Sequence, residues 1–425
     1  MRSDRRRFMQ IVGVGLAANT PLAALSAVAG KKSGRRVVVI GAGFGGTIVA
    51  KTIRMLDPGL EVVLVERQKR HVVCPFSNLV IGGLRQIDDL TFDYDRLSAN
   101  HGIRMVFGEA TSIDPEKKRV AVNDEFISYD RLVLSPGIDF RAEDIEGYAL
   151  ATTPAIMPHA WQAGAQTALI KQQLRDMKDG GTVVMSIPLT PYRCPPAPYE
   201  RVCMIAWFLK HTKPRSKLII LDANPDLTTM IAPFVKAWET YYPGLVEYQS
   251  AKRVTAIDAA QRTVLVEGLE EVRGDVVNLI PPQRAGAIAA RAGLIGADRH
   301  WCPIDPITFE STLVPGIHVI GDACNADALP KSGTAANAAA KVCAANIVAQ
   351  MNGQESVTLS ATTTCYSFLT HTDAISISGA FKVADGRIVA VPDASGIRPT
   401  DFLATRAKAV QANNWLHDIL AEMSN

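Results

Sequence analysis

Several features that would have settled the chemistry at once are missing from this sequence. None of its seven cysteines forms a C-x-x-C pair, which leaves zinc ribbons and thioredoxin-type redox motifs without support. No C-x-x-C-H attachment site is present, so any haem would belong to a partner. The eight histidines show neither H-x-x-H nor H-E-x-x-H spacing, and no metal site is expected. Beyond the first thirty residues there is no run of about 18 uncharged apolar residues, so no membrane span is expected. The net charge is only +3 and no basic run interleaves with aromatics, so nucleic acid is not an expected partner.

What is present is an ordinary globular composition. Hydrophobic residues make up 48% and charged residues 20% of 425, enough for a sizeable core in two or three domains. The N-terminus reads as an export segment. Arg5-Arg6-Arg7-Phe8-Met9 is a twin-arginine region, Ile11 to Leu25 is moderately apolar, and Ala27-Val28-Ala29 is a small-residue cleavage site. Gly13, Gly15, Asn19, Thr20 and Pro21 make the apolar stretch a poor spanning helix. Residues 1–29 are therefore expected to direct the folded chain to the periplasm. That oxidising compartment permits disulfides, and an odd cysteine count leaves at least one free, modified or paired between chains.

The chain then reads as α/β. Residues 35–40 form an apolar, β-branched strand, followed by a glycine turn, a helical pattern and a second strand at 61–65, ending at Glu66. Strand-like pieces recur at 105–107, 119–122 and 132–134. A second α/β block opens at 181–187, continues at 217–221 and closes near 276–280. The first type of pattern returns at 316–322, with a small-residue helix from about Thr334 to Met351. The expected layout is two Rossmann-like dinucleotide-binding domains, one interrupting the other. The first occupies 30–155 and 291–355, and the second, at 156–290, carries Cys194. Residues 356–425 differ: strands at 374–378 and 387–391 flank Asp385-Gly386, a hairpin signal, and a helix from Thr400 to Met423 follows. They read as a small α+β C-terminal domain.

Gly41-Ala42-Gly43-Phe44-Gly45-Gly46 is a G-x-G-x-x-G between a strand and a helix. Its glycines permit a tight turn and close approach of backbone N–H groups to a pyrophosphate at the helix N-terminus. Glu66, 20 residues past Gly46, is placed to accept ribose hydroxyls. Gly41, Gly43, Gly46 and Glu66 are thus dinucleotide-binding candidates. The second block has no such fingerprint. Its strand runs into Pro188-Leu189-Thr190-Pro191-Tyr192-Arg193-Cys194-Pro195-Pro196, and prolines offer no N–H to a pyrophosphate. This argues against NAD(P)H as the electron source.

The segments 128–137 and 318–322 resemble accessory motifs of flavoproteins with two dinucleotide domains (glutathione-reductase-like). In those proteins the aspartate matching Asp322 binds the flavin ribityl chain. A more specific resemblance lies in Pro191–Arg201 around Cys194, Thr364–Leu369 around Cys365, and His71–Gly83 around Cys74. Residues 277–283, Trp301–Asp305 and Pro330–Gly333 extend it in order. Together these are similar to the flavoprotein subunit of flavocytochrome c sulfide dehydrogenase, within the sulfide:quinone oxidoreductase-like branch.

The resemblance implies FAD, with Cys74 joined to the flavin 8α-methyl group as a cysteinyl thioether. Pro75, directly after it, is a local departure. It also implies a redox disulfide between Cys194 and Cys365. Hydrosulfide would attack one sulfur, and electrons would pass to FAD and then to a c-type cytochrome subunit. Glu200, six residues past Cys194, could carry protons there, or be a solvated helix-start carboxylate paired with Arg201. Trp415 matches an aromatic near the flavin, or anchors its helix. Lys331 is expected near the flavin pyrimidine, or is a surface lysine. The remaining cysteines read as mostly structural, with a second disulfide possible among them. The alternatives to this function are a sulfide:quinone oxidoreductase, disfavoured by a short tail that is polar between its apolar positions, and a non-catalytic flavin-binding partner in sulfur oxidation.

Overall fold

The structure is a computed structural model and describes residues 34–268, 270–392, 396–397 and 402–425. The twin-arginine segment and Thr400 lie outside the described residues. The first strand, β1 (Arg36–Ile40), is buried through its Val-Val-Val-Ile run. It feeds α1 (Gly46–Leu56), which turns Ile48, Val49 and Ile53 inward, and then β2 (Glu61–Glu66). A five-residue helix, α2 (Ser77–Ile81), follows the Cys74 segment. Strands β3 (Arg104–Phe107) and β4 (Arg131–Leu134) come next.

The second block contains β5 (Thr182–Ile187), α3 (Ala197–Thr212), β6 (Lys217–Asp222), β7 (Val246–Gln249) and β8 (Val276–Leu279). The chain then returns to the first sheet at β9 (Ile317–Val319), followed by α4 (Gly333–Met351). The C-terminal unit holds β10 (Ser360–Phe368), β11 (Ala374–Ala384), β12 (Arg387–Ala390) and α5 (Phe402–Ser424).

Both central sheets are parallel throughout. The first has the order β3-β2-β1-β4-β9 and the second β7-β6-β5-β8. In the first sheet the strand order reverses between β1 and β4, and ligands of open α/β sheets bind at the carboxyl ends of the strands at such a reversal. Helix α4 lies against both α1 and β10. Its alanines, among them Ala335, Ala339, Ala340 and Ala344, are buried on all sides, which is why it shows no apolar stripe.

A short antiparallel ribbon, 138–140 against 283–285, joins the two blocks where the chain crosses between them. The C-terminal sheet is antiparallel, with α5 packed on β11. Asp385 and Gly386 have φ of 50° and 71°, as a tight two-residue hairpin requires. Strand β11 runs six residues beyond the expected end at 378. Gly379 continues the strand, and the Phe381 ring covers it: an added Cβ would meet that ring at 2.9 Å.

Candidate functional site

Each glycine of the first turn has its own geometric reason. At Gly41 φ is +92°, and a Cβ would lie 2.3 Å from the Ser135 carbonyl oxygen, so the turns after β1 and β4 close on one another. At Gly46 a Cβ would stand 1.7 Å from the Gly41 oxygen, which lets α1 start against the turn. Gly43 is different. A Cβ there would meet only His71 Cε1, at 3.7 Å, so the space above it is open to a ligand. Tight turn, close approach and helix packing are the three jobs of a pyrophosphate-binding turn. Glu66, at the end of β2, accepts the Ala42 N–H at 2.8 Å through Oε2 and the Gln68 N–H at 3.1 Å through Oε1. The carboxylate is thereby fixed beside the turn.

Asp322 follows β9 at the far side of the strand reversal. Its Oδ1 is buried and has no hydrogen-bond partner among the described residues. A buried carboxylate oxygen without a donor is costly, and a ligand hydroxyl would satisfy it. Burial pushes the Asp322 carboxyl up, while Arg193 and Lys331 hold it back. Lys331 is not a surface lysine. Its Nζ donates to the backbone oxygens of Asp322 at 2.9 Å and Cys324 at 2.7 Å, and it stands 3.7 Å from the centre of the Trp301 ring. Burial lowers its pKa.

Cys194 lies in the loop between β5 and α3, with φ of 56°, in the left-handed region that a non-glycine residue rarely adopts. Two backbone bonds hold it there: its N–H donates to Lys331 O at 2.7 Å, and its carbonyl accepts the Ala197 N–H at 2.9 Å. The first bond ties the Cys194 loop to the Asp322–Lys331 segment. Cys365 sits on β10, opposite Ile377, with the hydroxyls of Ser332 and Thr334 near enough to its thiol to favour the thiolate. The fold brings Cys365 close enough to influence the ionisation of Cys194. Burial pushes the Cys194 thiol well above its ordinary value, Cys365 and Glu200 add to that, and Arg193 pulls it down. Burial raises Cys365 as well. All seven cysteines are free thiols in this structure, so no disulfide joins the pair here.

Glu200 lies in the first turn of α3 and is 6% exposed, which removes the solvated reading. Its Oε1 accepts the Phe368 N–H at 2.8 Å and its Oε2 the Asn78 amide at 2.7 Å. Burial raises its pKa to about 7 despite these bonds. Arg201, the expected partner, turns away instead. It donates to Asn78 Oδ1 at 2.9 Å, to the carbonyls of His159 at 2.9 Å and Ala160 at 2.6 Å, and to Asn278 Oδ1 at 3.1 Å.

Cys74 is half-buried, and its thiol lies 3.8 Å from the Trp161 carbonyl oxygen. The Arg193 side chain lies near it, and the titratable neighbours of Arg193 further include Asp322 and Cys194. Trp415 on α5 reaches the same region: its ring stacks with Phe76 at 6.4 Å and tilts against Tyr366 at 6.3 Å. Phe76 belongs to the Cys74 segment and Tyr366 follows Cys365. Glycine turn, Cys74, Cys194, Cys365, Glu200, Asp322, Lys331 and Trp415 thus converge on one region where three parts of the chain meet.

Among the described residues the second block has no glycine turn equivalent to 41–46. Asp222, at the end of β6, holds the position that Glu66 holds on β2, but it is fully buried and satisfied internally. Tyr199 and Tyr248 donate their hydroxyls to it at 2.9 and 3.0 Å, and Asn224 donates a backbone and a side-chain N–H at 2.9 and 2.8 Å. Cys302 and Cys324 are register partners in a short parallel bridge, both buried and both free thiols. Among the described residues no group of three or more His, Cys, Asp or Glu side chains could hold a metal ion, and no helix is long and apolar enough to cross a membrane.

The sequence reading gave no role to Asn78 or Arg193, and gave Arg201 one only as the partner of a solvated Glu200. Only Arg193 carried a local signal, a cation directly before a cysteine, which lowers the cost of a thiolate.

Comparison with known proteins matches this architecture piece by piece. The description "Pyridine nucleotide-disulphide oxidoreductase" fits residues 35–161. "Sulfide dehydrogenase [flavocytochrome c] flavoprotein chain, central" fits 167–281, and "Flavocytochrome c sulphide dehydrogenase, flavin-binding" fits 358–423. The sulfide dehydrogenase [flavocytochrome c] flavoprotein chain of Chlorobaculum thiosulfatiphilum is 56% identical over 46 residues, 11% of this chain and 96% of that one. The chain belongs to the flavocytochrome c sulfide dehydrogenase flavoprotein family.

Members of the wider group are also similar. The mitochondrial sulfide:quinone oxidoreductase of Mus musculus is 22% identical over 336 residues, covering 73% of this chain and 69% of that one. The solved sulfide:quinone oxidoreductase of Aquifex aeolicus shares the fold, with a TM-score of 0.73 at 20% identity over 92% of each chain. FAD fits the site on structural grounds: open space over Gly43, a fixed Glu66 carboxylate and an unpartnered Asp322 oxygen. The protein is a flavoprotein oxidoreductase.

Proposed function

We propose that the protein is a periplasmic FAD-dependent sulfide dehydrogenase that works through a Cys194–Cys365 disulfide and delivers electrons to a c-type cytochrome subunit. The observation that carries this is the convergence of Cys194, Cys365 and Glu200 beside the dinucleotide turn, from positions up to 171 residues apart.

Hydrosulfide attacks one sulfur of the disulfide. The S–S bond between the cysteines breaks, a new one forms to the incoming sulfur, and the other cysteine leaves as a thiolate. Glu200 exchanges protons near neutral pH, so it takes the proton that hydrogen sulfide gives up and returns one to the departing thiolate. Arg193, facing Cys194, stabilises negative charge on sulfur. Bound FAD supplies a two-electron acceptor able to pass electrons on singly, which is what a haem requires. Glu66 and the turn N–H groups would hold its adenosine half, Asp322 would bind its ribityl chain, and Cys74 would be the thioether attachment point. Lys331 would serve its pyrimidine end and Trp415 would supply an aromatic face to it.

Cysteine substitution tests the reading. Cys194→Ser should bind FAD normally yet lose sulfide-dependent reduction of cytochrome c. Turnover equal to the parent's would remove the disulfide mechanism, and turnover with a quinone in place of cytochrome c would identify the other acceptor.

A further inference from the structure

Asn78 is the point where the Cys74 segment touches the helix that carries Glu200. It lies on α2, is 4% exposed, and uses both ends of its amide. Nδ2 donates to Glu200 Oε2 at 2.7 Å and to the Ala197 carbonyl at 3.1 Å, while Oδ1 accepts from Arg201 Nε at 2.9 Å. One neutral amide therefore stands between a carboxylate and a guanidinium that are adjacent in sequence. Arg201 is held mostly elsewhere: two carbonyls and the Asn278 amide oxygen take three of its other four donors, and its face lies 4.9 Å from the Trp161 ring centre.

The charged and titratable groups that face Glu200 are few. Arg201 and Cys203 share its helix, Cys194 precedes that helix, and Cys365 faces it from β10. β10 adds the Phe368 N–H, and α2 adds only the Asn78 amide. A guanidinium bonded directly to a buried carboxylate would hold it ionised at all working pH values. Two neutral donors, the Phe368 N–H and the Asn78 amide, leave it able to take up a proton near neutral pH.

We infer that Asn78 is a positioning residue for Glu200: by binding the carboxylate and capturing Arg201 at once, it keeps the two charges apart and leaves Glu200 free to gain and lose a proton beside the sulfurs. This inference rests on the proton-carrying role proposed for Glu200, and it adds a physical link between the flavin-attachment segment and the proton carrier. An amide is the group that fits. A carboxylate at position 78 would accept from Arg201 but repel Glu200, and a shorter hydroxyl would not span the gap.

The test is an infrared titration of the holoenzyme, following the C=O stretch of the protonated carboxyl that is absent from Glu200→Gln. In the parent protein this band should titrate near pH 7. Asn78→Asp should move the midpoint up by about one unit or more through like-charge repulsion, and Asn78→Ser should move it down by a similar amount as Arg201 closes on Glu200. A structural role alone would not move the two variants in opposite directions. A midpoint that stays in place in whichever variant folds, or moves against the stated direction, overturns the inference. If the band moves as stated while the pH profile of sulfide turnover does not follow, the inference stands and the catalytic role of Glu200 falls.

Discussion

Tyr199 donates its hydroxyl to the buried Asp222 carboxylate at 2.9 Å. In a dinucleotide-binding block this acid, at the end of the second strand, would meet a ribose. Here Tyr199, Tyr248 and Asn224 occupy it, and the turn before it is rich in proline. The second block should therefore give no binding heat with NADH or NADPH, and neither should reduce the flavin at a rate approaching that of sulfide. Tyr199→Phe, which leaves a buried carboxylate short of a donor, should cost about 2 kcal/mol in urea unfolding.

The first turn makes a contrasting pair. Gly46→Ala forces a Cβ to 1.7 Å from the Gly41 oxygen and should abolish soluble protein. Gly43→Ala meets nothing closer than 3.7 Å, so the chain should fold with an ordinary far-ultraviolet spectrum. Its methyl group enters the space over the turn, however, and FAD content per chain should fall sharply. Full FAD content in Gly43→Ala would show that the pyrophosphate lies elsewhere.

What could be read from the sequence was local. The β1–turn–α1–β2 unit, the helix at 333–351 and the Asp385-Gly386 turn rest on short-range patterns, and each appears within a residue or two of its expected place, although the strand before that turn is longer than expected. The sulfur site was legible only through resemblance, since Cys194 and Cys365 meet by tertiary folding. Asn78 and Arg201 had no sequence signal because their function lies in hydrogen bonds across 122 and 77 positions, to Glu200 and Asn278. Sequence left Glu200 with two readings, a proton carrier beside the sulfurs or a solvated carboxylate paired with Arg201. Burial removes the second.

The raised pKa of Glu200 has a stability signature. Its ordinary value is 4.5 and its folded value about 7, so between these the folded protein holds a proton that the unfolded chain has released. The corresponding stability is fully present below about pH 4.5 and is lost as pH rises through about 7, an effect of about 3 kcal/mol. Chemical denaturation at pH 4.5 and pH 8 should show this loss in the parent protein and not in Glu200→Gln, after all shared pH dependence is subtracted.

Arg193 should control thiol reactivity. In reduced protein, Arg193→Met removes the cation that favours the Cys194 thiolate, and alkylation of Cys194 at pH 8 should slow by roughly tenfold or more. Peptide mapping by mass spectrometry assigns the modified cysteine. The same mapping, after acid denaturation, should find flavin on the Cys74 peptide of the parent protein. Flavin released freely into the acid supernatant would remove the thioether.

The central claim is that electrons enter through the Cys194–Cys365 pair. The most direct measurement is an anaerobic single turnover: oxidised, FAD-loaded Cys194→Ser and parent protein are each mixed with sulfide, and loss of the flavin absorbance is followed. The parent flavin should bleach within the mixing experiment, and the variant flavin should stay oxidised while still bleaching with dithionite. Bleaching of the variant by sulfide at the parent's rate would contradict the account.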